Sequence, residues 1–325
     1  MTEAHLILGI GELLWDILPE GPRLGGVPLE GTGQMALLGG APANFSVMAG
    51  RLGSRAAILS RIGRDELGRL AMDRLDPMPV DTSQLEVDPE HETGRVTVSF
   101  AGEEPCYTIH EPAAWDFLEL SDEWVKLAER ADAICFGSLA QRAPESRQTI
   151  QTLVAQTPAR CIRVFDVNLR APFYSGEVIQ ESLELATVVK MNEDEAPLVL
   201  GLLGLADDGE ELGPTRLRVA AAHLLEEFPS VRIVAITRGS RGSLLVARDE
   251  WNDHAGFPVK VADQIGAGDA FTAAIIHYML RGASLAMLNE AGNRWGGWVA
   301  SQSGAMPALP DTVRDAIAAA IEGTA

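Results

Sequence analysis

The residues best suited to chemistry lie in residues 263–271, which read Asp-Gln-Ile-Gly-Ala-Gly-Asp-Ala-Phe and lead into an apolar helix pattern. Gly266, Ala267 and Gly268 are small, so a ligand can come close to the first amides of that helix. Those amides lack partners within the helix and lie at the positive end of its dipole, which suits an anion such as a phosphoryl group. Asp269 follows directly and could accept the proton of a hydroxyl that attacks the phosphorus. The alternative is a structural helix start, in which the acid interacts only with the dipole.

A second candidate site lies far away in the sequence, in residues 39–53 (GGAPANFSVMAGRLG). Gly39 and Gly40 precede a helix start, and Pro42 falls in the first turn, where proline is favoured. Asn44 lies just inside this helix. Its amide offers a donor and an acceptor, which suits a ligand with many hydroxyl groups better than a phosphate. Taken alone, Asn44 is more simply explained as a capping residue.

The composition limits the possible partners. The 325 residues carry 46 acidic and 26 basic side chains, giving a formal net charge of −20, and 46% of the residues are hydrophobic. This charge repels nucleic acids and anionic membranes, so neither is expected as a partner. An anion site must therefore be built locally, from backbone amides and a few cations. The chain has only three lysines for this purpose: Lys126, Lys190 and Lys260.

The cysteines and the N-terminus indicate a cellular compartment. Cys106, Cys135 and Cys161 are widely spaced and odd in number, which is typical of reduced thiols. The N-terminus carries Glu3 and no basic segment of the kind found in signal peptides. No apolar run approaches the roughly 20 residues of a membrane span. The sequence therefore predicts a soluble, cytoplasmic protein.

Short apolar runs alternate with amphipathic segments over most of the chain. This alternation favours a mostly parallel sheet covered by helices on both faces, in a single domain over residues 1–325. The strands are predicted at residues 5–11, 55–62, 133–137, 161–166, 187–191 and 232–237. The helices are predicted at residues 65–75, 145–156, 217–228, 267–280, 285–301 and 312–321.

Two inserts interrupt the alternation. Residues 12–38 are rich in glycine and proline, and residues 92–112 contain a stretch that alternates with period two. In that stretch Val96, Val98 and Phe100 share one face, as in antiparallel strands. The inserts could form a small β lid over the edge of the main sheet, or two unrelated surface loops. An exposed apolar face must be covered, either by a bound ligand or by a partner, so we predict a homodimer formed through the lid.

The motifs together resemble the PfkB (ribokinase-like) family of carbohydrate kinases. Residues 39–68, which end in RIGRDELG, resemble the N-terminal signature of the family, and residues 263–271 resemble the C-terminal one. The resemblance covers almost the whole chain, and it implies a ribokinase-like α/β fold with a β lid. Four further matches occur in order: 165–170 (FDVNLR), 192–195 (NEDE), 237–242 (TRGSRG) and 304–310 (GAMPALP, similar to fructokinases).

This resemblance implies roles for individual residues. Asp269 would be the general base, and Gly266, Ala267 and Gly268 would form the anion hole. The resemblance also implies ATP as phosphoryl donor and magnesium as cofactor, and it leaves a potassium ion open because Gln264 stands where the family usually has threonine. The residues implied to bind sugar are Asp16, Gly39, Gly40, Asn44 and Arg170. Those implied to bind the nucleotide are Asn192, Thr237, Gly239, Gly242 and Asn293, with Asn192 and Glu195 positioning magnesium through water.

Other functions fit less well. No glycine is followed by lysine, which excludes a P-loop kinase, and the sequence Gly9-Ile-Gly11 lacks the third glycine of a dinucleotide-binding fingerprint. A non-catalytic sugar-binding relative of the same fold is the remaining alternative. Such a protein would be free to lose Asp269.

The charge near the lid bears on the substrate. Sugar acids and phosphosugars need added positive charge in the pocket. Residues 107–110 (YTIH) stand where sugar-acid kinases usually have a Tyr-Tyr-Arg element, and Glu103, Glu104 and Glu111 lie nearby. We therefore expect a neutral ketohexose, with fructose first and 2-keto-3-deoxygluconate as the alternative. Arg170 could meet the carboxylate of the latter.

Overall fold

The computed structural model describes residues 4–19, 26–101, 104–205 and 213–323. Its strands alternate with helices, as the sequence pattern predicts. The strands are β1 (Leu6–Ile10), β2 (Leu14–Pro19), β3 (Val27–Leu29), β4 (Gln34–Gly39), β5 (Arg55–Gly63), β6 (Leu85–Asp88), β7 (Gly94–Ala101), β8 (Glu104–Ile109), β9 (Ala133–Gly137), β10 (Ile162–Asp166), β11 (Val188–Asn192), β12 (Ile233–Thr237), β13 (Ser243–Ala247) and β14 (Trp251–His254). The helices are α1 (Ala41–Arg51), α2 (Glu66–Leu75), α3 (Asp122–Ala128), α4 (Pro144–Ala155), α5 (Gly176–Leu185), α6 (Glu195–Leu202), α7 (Pro214–Glu227), α8 (Ala267–Met279), α9 (Leu285–Ala300) and α10 (Asp311–Glu322).

The main sheet has the strand order β14-β13-β12-β11-β10-β9-β1-β5-β6. The strands from β6 to β12 in this order run parallel, and β13 and β14 add an antiparallel edge. The six predicted strands are confirmed to within one residue, and the six predicted helices to within three. The ribokinase-like α/β architecture is thereby confirmed, with the parallel strands placing their C-terminal ends along one edge.

Both faces of the sheet are buried. Within β1, Leu8 packs into one hydrophobic core with α3 to α7, whereas Ile7 packs into a second core with α1, α8 and α9. Burial on both sides explains why these strands read as continuous apolar runs in the sequence. The helices begin at recognisable caps: the Asp65 carboxylate accepts the N–H of Gly68 at α2, and Ser284 caps α9.

The two inserts form a second, smaller sheet with the order β3-β4-β2-β7-β8. Its pairs are antiparallel except for β2 with β7, which run parallel. The predicted alternation is confirmed for Val96 and Val98, which are buried, and for Thr97, which is partly exposed. The alternative of two unrelated loops is therefore wrong. That this sheet works as a lid stays a prediction.

The reason for predicting a homodimer is not supported by the structure. Val96 and Val98 are each 6% exposed within a single chain. The described part of the apolar face is thus already covered within one chain, and a partner is not needed to bury Val96 and Val98. The side chains of Phe100 and Glu104, and the whole of Glu103, lie outside the described residues. The homodimer itself stays a prediction, which light scattering at micromolar concentration would test.

Candidate active site

The predicted sugar and phosphate residues meet at the C-terminal edge of the main sheet. The decisive contact is between two helix starts that are 225 residues apart in the chain: Asn44 Nδ2, in α1, donates to Asp269 Oδ2, in α8, at 2.8 Å. Asn44 is 5% exposed, and its Oδ1 atom is buried with no hydrogen-bond partner in the described part of the chain. An unpaired buried acceptor is costly unless a ligand satisfies it. The site therefore suits a ligand that can donate a hydrogen bond, such as a hydroxyl group.

Helix α8 begins at a glycine that no other residue could replace without strain. Gly266 has a left-handed φ of 76°, and a Cβ atom there would lie 2.6 Å from the carbonyl oxygen of Ala305. At this turn the Ala267 N–H donates to the carbonyl oxygen of Gln264 at 3.4 Å, and the Ala270 N–H donates to that of Gly266 at 2.9 Å. The amides of Gly268 and Asp269 lie between them in the first turn, where a helix has no intrahelical acceptors for its N–H groups. A helix N-terminus of this kind can bind a phosphoryl group.

Asp269 lies in this first turn with an unusual pKa. Burial raises the pKa of Asp269 to about 6, and the charge of Asp166 adds to the rise. Lys190, the hydrogen bond from Asn44 and the charge of Arg170 oppose it. A carboxylate with a pKa slightly below neutrality can be ionised and still accept a proton, as a general base requires.

Gly268 also has a structural role. A Cβ atom on Gly268 would lie 3.0 Å from Lys190 Nζ, so its missing side chain leaves room for a buried lysine. Its predicted role, to let a ligand approach the first-turn amides, stays a prediction. Lys190 was noted in the sequence only as one of three lysines, and the structure places it directly behind the start of α8.

Asp16 lies in β2 of the small sheet, facing the same region. Burial raises the pKa of Asp16 to about 6, and the charge of Arg170 opposes this rise. A Cβ atom on Gly39, the last residue of β4, would lie 3.2 Å from Asp16 Oδ2. Glycine at 39 therefore keeps one carboxylate oxygen accessible. Arg170 is exposed, at the rim of the site.

Sequence reasoning missed Glu12, which lies between β1 and β2. Its side chain is 2% exposed; Oε1 accepts the N–H of Ala41 at 3.2 Å, and Oε2 is buried with no partner in the described residues. Burial, with a smaller contribution from Asp269, raises the pKa of Glu12 to about 7. Gly40, with φ 107°, packs directly on this segment: a Cβ there would lie 2.3 Å from the Glu12 carbonyl oxygen.

The residues predicted to bind the nucleotide gather further along the same edge. Asn192 and Thr237 end the adjacent strands β11 and β12 and lie opposite each other in the register. A turn follows in which Gly239 and Gly242 both have positive φ, and a Cβ on Gly242 would collide with the backbone of the segment after β14. These residues are brought together, as a nucleotide site requires.

Glu195 and Asn293, predicted to position the metal and to bind the nucleotide, make hydrogen bonds within the fold that the sequence does not indicate. Glu195 is 6% exposed: Oε1 accepts the N–H of Leu169 and Oε2 that of Asn192, at 2.9 and 2.8 Å. Asn293 Nδ2 donates to Ser243 Oγ at 2.7 Å, so its amide nitrogen supports the start of β13. Glu195 therefore holds backbone N–H groups of two segments, whereas Asn293 contacts a side chain of β13.

A family model confirms what the motifs indicated. The model described as "pfkB family carbohydrate kinase" matches residues 5–312. The chain belongs to this family. It is therefore a carbohydrate kinase, and its resemblance to fructokinases within the family is supported by its relatives.

Three relatives of this pfkB kinase cover almost its full length. An uncharacterized sugar kinase of Pyrococcus horikoshii is 30% identical over 290 residues, covering 87% of this chain and 85% of that protein, and its crystal structure with ATP has a TM-score of 0.75. The fructokinase of Escherichia coli is 29% identical over 327 residues, covering 93% and 95% of the two chains. A double mutant of the Vibrio cholerae fructokinase, bound to fructose, ADP and potassium ion, is 25% identical, with a TM-score of 0.79 and coverage of 98% and 99%.

Asn192 and Glu195 are the residues that would position a metal ion. Both Glu195 carboxylate oxygens accept backbone N–H groups, and Asn192 Oδ1 accepts those of Asp194 and Glu195. A divalent metal ion would therefore contact these residues through its bound water. Among the described residues there is no group of three or more histidine, cysteine or acidic side chains that could hold a metal by itself. Water and nucleotide phosphates would therefore supply most of the ligands.

Within the same described ranges, no helix is long and apolar enough to cross a membrane.

Proposed function

We propose that this pfkB kinase transfers the γ-phosphoryl group of ATP to a hydroxyl of a neutral ketohexose, with fructose as the leading substrate. The hydrogen bond from Asn44 to Asp269 carries the proposal, because it joins the helix start suited to a hydroxylated ligand to the helix start suited to a phosphate. A hydroxyl bound between these two residues would lie next to the amides of α8.

The geometry supports a separate role for each group in the reaction. Asp269 accepts the proton of the attacking hydroxyl, and Asn44 orients its carboxylate. The first-turn amides of α8 stabilise the charge on the transferred phosphoryl group. Magnesium, when bound near Asn192 and Glu195, would neutralise charge on the phosphates. The nucleotide would lie along the edge from Asn192 toward Gly242, which places its phosphates at α8.

The charges of the sugar pocket favour a neutral substrate. Glu12, Asp16 and Asp269 each respond to the charge of Arg170, which lowers the pKa of all three. A substrate carboxylate would have to approach this group of acids with Arg170 as its main partner. The E. coli and V. cholerae relatives are both fructokinases, which agrees with a neutral ketohexose as substrate. The exposed Arg170 is the specific feature that keeps 2-keto-3-deoxygluconate as the second candidate.

An ADP-release assay over a panel of sugars tests the substrate. Fructose should exceed 2-keto-3-deoxygluconate and hexose phosphates in kcat/KM. The Arg170→Gln variant separates the two candidates, because it should weaken activity on the sugar acid far more than activity on fructose. A wild-type preference for the sugar acid that Arg170→Gln abolishes would replace the first proposal with the second.

The Asp269→Asn variant tests the mechanism. An amide keeps the shape of the side chain but cannot take a proton, so kcat should fall by about two to four orders of magnitude. Sugar affinity, measured by calorimetry, should change little. The matched control is Asp122→Asn, since Asp122 is an exposed acid in the first turn of α3 and touches no proposed ligand. Near-normal turnover in Asp269→Asn would show that Asp269 is not the base.

A further inference from the structure

Lys190 is a charged residue in the middle of the sheet. It lies in β11 next to the buried residues Val189 and Met191, and its side chain is 8% exposed. Nζ lies 3.0 Å from Asp166 Oδ1, at the end of β10, and the Asp166 side chain is 4% exposed. Removing such a pair from water costs several kcal/mol for each ion, so stability alone is a weak reason for its presence.

The pair is connected to the proposed phosphoryl-transfer site. Thr272 Oγ1, in α8, lies 3.2 Å from Asp166 Oδ2 and 2.9 Å from the carbonyl oxygen of Gly268. The place where Gly268 lacks a side chain is filled by the Lys190 ammonium, 3.0 Å from the ideal Cβ position. The charges of β10 and β11 therefore contact the first turn of the helix that carries Asp269.

We propose that Lys190 is a positioning residue for phosphoryl transfer: fixed by Asp166, its ammonium supports the first turn of α8, the turn that carries Asp269. This inference rests on the proposed role of Asp269 as the base. The competing explanation is an ion pair that only joins β10 to β11.

The surroundings of Asp269 make Lys190 the main opposing charge. Burial and Asp166 raise the pKa of Asp269, and among the influences that lower it Lys190 is the largest. Removing the ammonium should therefore raise the pKa of Asp269, and removing the Asp166 charge should lower it. The titratable, charged and hydrogen-bonding groups that face Asp269 are Glu12 after β1, Asn44 on α1, Cys135 on β9, Asp166 on β10, Arg170 after β10 and Lys190 on β11.

The first test is the pH profile of kcat/KM for fructose. The acidic limb reports protonation of the base, so in Lys190→Met it should move to higher pH by about one unit or more. Lys190→Arg should keep the limb near its wild-type position, and Asp166→Asn should move it to lower pH. Lys126→Met, an exposed lysine on α3, is the control for net charge and should leave the limb in place. If the ion pair only joins β10 to β11, the Lys190→Met and Asp166→Asn variants should have lower melting temperatures, but the acidic limbs of their pH profiles should not move in opposite directions.

The second test does not need turnover. Carboxyl carbon NMR of protein labelled with ¹³C-aspartate gives the titration of Asp269, assigned by the resonance that disappears in Asp269→Asn. If this titration keeps its wild-type midpoint in Lys190→Met, the inference about Lys190 is wrong. If it moves as expected but Asp269→Asn retains turnover, the charge effect stands and the assignment of the base fails. Should Lys190→Met not fold, Lys190→Gln takes its place: a midpoint that moves to higher pH supports the inference, and an unchanged midpoint overturns it.

Discussion

Replacing Glu12 by glutamine should stabilise the protein at alkaline pH. Glutamine keeps an oxygen for the N–H of Ala41, and it carries no charge, so it imitates the protonated acid. Burial raises the pKa of Glu12 from 4.5 to about 7 because one carboxylate oxygen has no partner to compensate for lost hydration. The charged form is therefore unfavourable in the folded state.

The size and sign of the effect follow from proton linkage. The folded protein binds the Glu12 proton more tightly than the unfolded chain does. This contribution to stability is complete below about pH 4.5 and is lost as the pH rises to about 7. At about 1.4 kcal/mol for each pKa unit, the loss amounts to about 3 kcal/mol at most. The Glu12→Gln variant has no carboxyl group to ionise and does not lose this stability. The variant should therefore have a higher free energy of unfolding than the wild type at pH 8.5. After the difference at pH 5 is subtracted, the gain should be most of this loss of about 3 kcal/mol.

Urea unfolding at pH 5 and pH 8.5 measures this difference directly, provided that the m-values of the two proteins agree. Comparing the two pH values removes any constant effect of the amide group. Glu226→Gln, an exposed change on α7, should show no such pH dependence. If Glu12→Gln gains nothing at pH 8.5 relative to pH 5, Glu12 must be charged and well partnered in the folded protein, and the reasoning fails.

Three further predictions concern single residues of the site. Gly268→Ala would place a methyl group 3.0 Å from Lys190 Nζ, so kcat should fall while calorimetric sugar affinity stays nearly unchanged; equal loss of both would contradict this. Asp16→Asn should raise the KM for sugar by about tenfold at pH 8, the loss of a charge-assisted hydrogen bond, and by less at pH 5, where the wild-type acid with its pKa of about 6 is protonated. Glu195→Gln should lower the free energy of unfolding by about 1–3 kcal/mol in urea titrations, since one of two backbone N–H groups loses its acceptor; unchanged stability would show that the lost bond contributes little.

The sheet could be predicted because its central strands are buried on both faces. Short continuous apolar runs such as those of β1 and β9 are typical of strands that are buried on both faces, and helices of ordinary length lie between these strands in the chain. The edge strands β6 (LEVD) and β14 (WNDH) could not be predicted, because residues at a sheet edge are partly exposed and leave no apolar run. The pairing of β2 with β7, which joins the two inserts, depends on tertiary contacts that the local pattern does not contain.

The site could be predicted where function depends on backbone conformation. Gly266 and Gly40 have positive φ and close contacts, so their motifs are visible in the sequence. Burial of an acid or a base is not visible in the same way. Glu12 is the first residue of the glycine- and proline-rich insert, and no local pattern marks it as buried. For Lys190 the sequence does contain a signal, because this lysine lies within an otherwise apolar predicted strand. Charged residues are rarely buried in such strands unless they are paired.

The charge of the whole chain and the charge of the site lead to one conclusion about the ligand. A net charge of −20 is unfavourable for binding phosphates, and the structure concentrates compensating features at one place: the start of α8 and, behind it, Lys190. On the sugar side, burial raises the pKa values of Glu12, Asp16 and Asp269, and the charge of Arg170 opposes each rise. Hydroxyl groups can donate hydrogen bonds to these carboxylates, whereas a second anion would add repulsion. The same imbalance that argues against nucleic acid as a partner therefore favours a neutral, polyhydroxylated acceptor in the proposed reaction.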